Sequence, residues 1–359
     1  MWHENQITQK IGMTYPIIQA GMAGGTTTPE LVAAVSNAGG LGTLGAGYMS
    51  PEQMRDSIRK IKELTNHSFA VNVFIPEVPK VSEKDIEKAR ELLRPFREAL
   101  HLPEEPEVTK PSATIFEKQM DIIMEERVPV CSFTFGVPSK ERVQQLKKQN
   151  IMLIGTATTV KEAIINEDIG MDMVVMQGSE AGGHRGTFSG PFDKAMIGTM
   201  ALIPQAVDHV TIPVIAAGGI MDGRSVLAAL TLGAQAVQMG TAFVTSLESG
   251  AKKQQIEAIL NSTEEEPVLT SAFSGKPARG IENEFMTKMA PYEHELPDYP
   301  IQNTLTKEIR REAAKQNRPE WLHLWSGQNV RLSKRQPARK MITDIVSQVD
   351  DLLASPPFR

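Results

Sequence analysis

The chain has 359 residues, with 38 Lys+Arg against 43 Asp+Glu (net charge −5), 41% hydrophobic and 23% charged residues. These are globular proportions with ample material for a core, which excludes a disordered or fibrous chain, and the mild acidity leaves no basic footprint for nucleic acid. The single cysteine, Cys131, excludes a disulfide framework and any multi-cysteine metal site.

Aromatic residues are only 5% while glycine reaches 27, which argues against an all-β sandwich and for an α/β chain with tight turns. The opening MWHENQITQK lacks the apolar core of a signal peptide, and no run reaches the ~18 apolar residues of a membrane helix. A cytoplasmic protein with small-molecule partners is expected, without nucleic acid or membrane among them.

In chain order, the apolar run Tyr15–Ala20 meets a Gly-rich turn and then a helix over Pro29–Asn37. GLGTLG (Gly40–Gly45), a helix over Pro51–Leu64 and the run Phe69–Ile75 follow. The charge-rich stretch Pro76–Arg127 breaks the rhythm. Its Ile86, Ala89, Leu93 and Phe96 stand at helical spacing, which predicts a helical insertion, either a pair covering the barrel flank or a lid.

The rhythm resumes with Val128–Gly136, a helix at Ser139–Lys148, Ile151–Ala157, a helix at Val160–Glu167 and Asp172–Gly178. A long polar loop, a helix near Gly198–His209, Pro213–Gly219, a helix at Arg224–Leu232 and Ala236–Thr241 complete it. About eight strands alternating with helices, each reading as a continuous apolar run, predict a closed (β/α)8 TIM barrel over residues 1–260. An open doubly wound sheet is the alternative. The loop-rich remainder, 261–359, reads as a C-terminal extension packed on the barrel.

Gly40–Gly45 matches G-x-G-x-x-G literally, but its glycines lie within a strand rather than between strand and helix, so close packing is the better reading. The segment QGSEAGGHRG (Gln177–Gly186) is the most informative. It sits at the C-terminal end of a strand, where barrel enzymes place their chemistry. Gly182 and Gly183 let backbone approach a ligand, Gln177 and Glu180 supply an amide and a carboxylate, and His184 is the one histidine set in such a loop. A lone histidine is usually structural, but this position favours a general base or a hydrogen-bond donor to a substrate anion.

PVIAAGGIMDGRS (Pro213–Ser225) ends in Gly218 and Gly219 with Asp222 as a helix cap, and QMGTAF (Gln238–Phe243) ends the next strand. Loops after the seventh and eighth strands commonly bind phosphate through backbone N–H groups; two ordinary tight turns are the plain alternative. IQAGMAGG (Ile18–Gly25) ends the first strand, where Met22 either floors a planar ring or fills core. Asn72 is a polar amide inside an apolar strand, costly if buried unpaired, and so a candidate cofactor ligand. Cys131 reads as buried and inert.

These motifs together, from PIIQAGM through VNVF, GSEAGGHRG, PVIAAGGIMDGR and QMGTAF to WSGQ, resemble the class I nitronate monooxygenases, once called 2-nitropropane dioxygenases, over nearly the whole chain. The resemblance implies an FMN-dependent (β/α)8 barrel in which Asn72, Gln177, Gly182, Gly219, Gln238, Met239, Gly240 and Thr241 contact FMN, with Gly218 and Met22 as neighbours. It implies that Ser326, Gly327 and Gln328 approach the flavin from the C-terminal segment, and that His184 is the active-site histidine.

The implied reaction is oxidation of an alkyl nitronate of the propionate-3-nitronate type by O₂, giving a carbonyl compound and nitrite. His184 would hold the nitro group and, where a neutral nitroalkane is accepted, take its α-proton. No metal is implied, and a homodimer is the expected assembly. FMN-dependent NAD(P)H enoyl-acyl-carrier-protein reductases share EAGGH and the barrel, and remain the first alternative. A flavin-free phosphate-binding barrel acting as isomerase or lyase is the second.

Overall fold

The computed structural model describes residues 1–79, 81–102, 106–108 and 113–354. Its centre is a ring of short parallel strands: β1 (Ile17–Gln19), β2 (Gly42–Gly45), β3 (Phe69–Phe74), β4 (Val130–Thr134), β5 (Met152–Ala157), β6 (Met173–Gln177), β8 (Val214–Ala217) and β9 (Ala236–Met239). The pairing order is β1-β9-β8-β6-β5-β4-β3-β2. The ring closes where the Gln19 N–H donates to Leu41 O and the Leu41 N–H donates to Ile17 O, both at 2.9 Å. The expected closed (β/α)8 barrel is therefore what forms, rather than the open sheet.

Residues alternate across each strand, so every second side chain enters the barrel. Ile18, Ala70, Val130, Ile154, Met173, Val175, Ile215 and Ala236 fill the interior together with Ile7 and Ile11 of α1 (Gln6–Ile11), which closes the N-terminal end. Nearer the C-terminal ends the same inward rows turn polar: Asn72, Ser132, Thr134, Thr156, Gln177 and Gln238. The outward rows, such as Val71, Cys131, Phe133, Val174 and Val237, are packed under helices. Cys131 is buried there, and burial pushes its thiol up, as expected of an inert core residue.

The ring helices begin where the sequence supplies caps. Thr28 caps α2 (Pro29–Asn37), Ser50 and Gln53 form a capping box on α3 (Pro51–Leu64), and both helices have proline in the first turn. Gly42 lets α2 lie close on β2, since a Cβ there would stand 2.1 Å from Val32 O. This is the close packing predicted for the G-x-G-x-x-G stretch.

The charged stretch between β3 and β4 divides into two parts. Its first helix, α4 (Glu83–Ala99), buries Ile86, Ala89, Leu93 and Phe96 against the C-terminal region. Its second, α5 (Ala113–Glu125), packs on α3 and β3 as an ordinary barrel helix. Residues 80, 103–105 and 109–112 of the predicted insertion lie outside the described residues.

Further ring helices are α6 (Lys140–Lys148), α7 (Val160–Ile169), α8 (Thr199–Val207) and α9 (Gly223–Thr231); the short α10 (Thr241–Val244) follows β9. After it come α11 (Lys253–Asn261), strands β10 (Pro267–Thr270) and β11 (Ala278–Ile281), α12 (Glu284–Met289) and α13 (Ile301–Lys315). With α4 they build a second apolar cluster around Phe273, Phe285, Leu305 and Trp321. The final helix, α14 (Ala338–Ala354), returns to the barrel and packs between α2 and α9. The C-terminal stretch thus both covers the barrel and supplies its last flanking helix.

Candidate active site

A cavity of about 910 Å³ opens at the C-terminal ends of the barrel strands. Its floor is the polar inward row just described, and its roof comes from α13 and the segment around Trp325. A site of this size is at the upper end of the range for a cofactor with its substrate.

The loop after β6 forms one wall and is held by buried charge. Arg185, 1% exposed, donates through Nη1 to Gly178 O (2.6 Å) and through Nη2 to Gln177 O (3.0 Å) and Ala195 O (3.2 Å). Arg279 on β11 donates to Ser179 O (3.0 Å) and Pro267 O (3.0 Å). Glu180, read from sequence as a cavity carboxylate, accepts from the Thr199 N–H at 2.9 Å and so caps α8 from across the loop. Gln177 accepts from the Gly186 N–H (2.8 Å) and donates to His184 O (3.1 Å), fastening the loop back onto its strand.

Within this loop Gly183–His184 forms a two-residue strand, β7, paired antiparallel with β11. His184 Nε2 lies 2.9 Å from Ser274 Oγ. The Ser274 hydroxyl donates its one proton to Lys276 O (3.0 Å), so the imidazole must be the donor in its own bond. This assignment puts the proton on Nε2 and leaves Nδ1 as a free acceptor in the cavity wall.

The ring is boxed by Phe135 (5.9 Å), Tyr299 (5.9 Å) and Trp325 (5.5 Å). Burial, then the charges of Lys276 and Arg310, push its pKa down to about 3. His184 is a neutral imidazole at neutral pH.

Of the residues singled out in the sequence, Met22, Asn72, Gln177, Gly182, His184, Gly218, Gly219, Gln238, Gly240, Thr241 and Gly327 line this one cavity. Three do not. Met239 is one position out of phase with Gln238, so its side chain points outward into the core under the helices. Ser326 is fully buried with its hydroxyl on Gly327 O. Gln328 is exposed, and only its backbone N–H reaches inward, to Glu180 O (3.0 Å). The C-terminal segment still closes on the loop: the Gly327 N–H donates to Thr241 Oγ1 (2.9 Å), and a Cβ on Gly182 would stand 2.5 Å from Gly327 N.

Two features suit a flavin mononucleotide. Asn72 donates from Nδ2 to Ser132 Oγ (3.0 Å) and Thr134 Oγ1 (3.1 Å), while its Oδ1 is buried with no partner. An N–H of a planar heterocycle would satisfy it. Gly218 and Gly219 take φ of 109° and 71°, and the N–H groups of Gly219 and Gly240 have no acceptor among the described residues. Convergent free amides of that kind suit a phosphate. No group of three or more His, Cys, Asp or Glu able to hold a metal ion occurs among the described residues.

Sequence reasoning missed Tyr48, Ser274, Tyr299, Arg310, His323 and Trp325. Apart from Tyr48, all come from the C-terminal stretch, whose residues reach the cavity only through the tertiary fold.

The model of the nitronate monooxygenase family matches residues 5–348. A probable nitronate monooxygenase of Staphylococcus aureus (strain Newman) is 53% identical over 354 residues, 98% of this chain and 99% of the relative. Among solved structures, nitroalkane oxidase from Streptomyces ansochromogenes superposes with a TM-score of 0.91 at 35% identity, covering 98% of this chain and 99% of that one. FabK from Thermotoga maritima superposes with a TM-score of 0.76 at 30% identity, covering 98% and 97%.

Proposed function

The chain belongs to the nitronate monooxygenase family, and from that membership we propose that it binds FMN and oxidises alkyl nitronates of the propionate-3-nitronate type with O₂, releasing a carbonyl compound and nitrite. The observation that carries this reading is the convergence, in one cavity, of an orphaned Asn72 Oδ1, free amides at Gly219 and Gly240, and a neutral His184.

Asn72 would hold the flavin ring and the glycine loops its phosphate; Met22 lines the same cavity, with its sulfur 3.9 Å from a Cβ placed on Gly240. The flavin supplies one-electron exchange with the nitronate and with O₂. The protein's own share is positioning and electrostatics. Phe135, Tyr299 and Trp325 give His184 a dry setting. Its free Nδ1 can accept the α-proton of a neutral nitroalkane, but with a pKa near 3 it is a weak base. A preformed nitronate needs no such step, which is the physical reason for placing nitronates ahead of nitroalkanes as substrates.

No described helix is long and apolar enough to cross a membrane, and a cytoplasmic homodimer is part of the proposal. The test is an aerobic nitrite assay on purified holoenzyme with propionate-3-nitronate and no NADH. Nitrite in proportion to O₂ consumed is expected. NADH oxidation that requires an enoyl thioester, without nitrite, would instead make the chain an enoyl reductase. A preparation free of flavin and refractory to reconstitution would point to an isomerase or lyase.

A further inference from the structure

Positive charge gathers on the cavity wall built by α13, with Lys252, just ahead of α11, beside it and bonded among the described residues only to Arg310 O at 3.4 Å. Lys307, Arg310 and Arg311 all line it. Arg311 pairs with Glu308 at 3.3 Å, whereas Arg310 has no carboxylate at ion-pair distance among the described residues. Its partners are all neutral: Nη2 donates to Asn303 O (2.7 Å) and Asn303 Oδ1 (2.8 Å), Nε to Thr306 O (3.3 Å), and Nη1 to His323 Nδ1 (3.4 Å). A guanidinium has only donors, so His323 accepts and is the neutral Nε2–H tautomer. Four of the five N–H bonds are thereby used, and one on Nη1 remains, on a group that faces the cavity.

Tyr48, in the loop after β2, offers a second donor. Tyr48 and Tyr299 both line the cavity, and burial pushes both phenols up, so each keeps its proton at neutral pH. Tyr48 is 44% exposed on the cavity wall, and its phenol has a proton to donate there. Its ring is held edge-on to Phe74 at 5.4 Å, and Arg310 lies near enough to act on it electrostatically.

We propose that the free Nη1–H of Arg310 and the O–H of Tyr48 form a subsite for a planar two-oxygen anion, a nitronate or a carboxylate of the substrate. The counter-charge for substrate then comes from Arg310 and not from His184. A guanidinium with only neutral partners in a poorly solvated wall is an uncompensated charge that an anion stabilises. The identity of the anion rests on the nitronate reading given above; the existence of the subsite does not.

The test compares wild-type holoenzyme with Arg310→Met, Arg310→Lys and Tyr48→Phe. Steady-state KM is measured for ethyl nitronate, with one anionic group, and propionate-3-nitronate, with two. Arg310→Met should raise KM by about 10- to 100-fold, the range for a lost charge-assisted bond, and Tyr48→Phe by about 5-fold. Arg310→Lys should stay within a few-fold of wild type and so separate loss of charge from misfolding. A rise for both substrates places the nitronate head at Arg310; a rise for propionate-3-nitronate alone places its carboxylate there.

Calorimetric titration with nitrate, against neutral nitromethane, gives a readout independent of turnover. Nitrate should bind wild type and weaken at least about 10-fold in Arg310→Met, with nitromethane unaffected. Nitrate that fails to bind wild type, or binds all variants alike, overturns the subsite. Absence of nitrite from wild type with nitrate binding intact overturns the nitronate reading alone.

Discussion

His184 Nε2 donates to Ser274 Oγ at 2.9 Å, and that serine passes its own proton to the carbonyl of Lys276. The relay is what selects the tautomer, because an imidazole that donates at Nε2 accepts at Nδ1. Ser274 lies on the stretch before β11, and β11 pairs in register with His184 through Ala278. The C-terminal sheet therefore sets both the backbone position of the histidine and its chemistry.

Replacing His184 with Asn should leave flavin content unchanged, since none of the groups that suit the flavin depends on the imidazole. Turnover of neutral nitroalkanes should fall by about 100-fold or more, the usual contribution of a general base, with a much smaller loss on preformed nitronates. Parallel nitrite assays on nitroethane and ethyl nitronate decide it. Equal losses on both would remove proton abstraction from the role of His184.

The depressed pKa of His184 carries a pH dependence of known sign. In the unfolded chain the imidazole takes its proton near 6.5; in the folded chain burial, Lys276 and Arg310 hold that off until about 3. Between those values the unfolded state binds more protons, so the stabilising contribution is complete above 6.5 and is lost as pH falls toward 3. Wild type should lose more thermal stability than His184→Asn between pH 7 and pH 4.5. Nitrite production from preformed nitronate should show no inflection near 6.5 assignable to this residue; one that vanishes in His184→Asn would contradict the neutral imidazole.

Asn72→Ala removes a buried amide oxygen of the barrel floor that lacks a partner. If that oxygen accepts from the flavin ring, its loss should weaken flavin binding by about 5- to 100-fold, the equivalent of one buried hydrogen bond. Release of flavin fluorescence on dilution measures this directly. Retention as tight as in wild type would show that Oδ1 faces away from the ring.

The barrel and the glycine loops were legible in the sequence because both are local. A strand buried on two faces reads as an apolar run, and a turn with positive φ reads as glycine, as at Gly218 and Gly219. Asn72 stood out for the same reason, as a polar residue breaking such a run. Gln238 and Met239 come together as expected flavin contacts only through the family resemblance; in the strand the first lines the cavity and the side chain of the second packs under the helices. The roof was not legible. Arg310, His323 and Trp325 sit in ordinary helix or loop sequence, and only the packing of α13 over the barrel mouth brings them beside His184.

Arg185 is adjacent to His184 in sequence yet points away from the cavity, and its substitution separates scaffold from chemistry. The guanidinium is buried and donates to three loop carbonyls, at Gln177, Gly178 and Ala195. Burial pushes its pKa down to about 10, so it still carries its charge at neutral pH. Met would match the length of the side chain but leave three buried acceptors without donors, at a cost of about 3 kcal/mol or more. Arg185→Met should therefore melt several degrees lower and release flavin more readily, because Gly182 and Gly218 lose the frame that holds them around the ring. The KM for nitronate on molecules that retain flavin should change little, since Arg185 does not itself line the cavity. A variant with wild-type melting and flavin retention would show that Arg279 alone suffices to hold the loop.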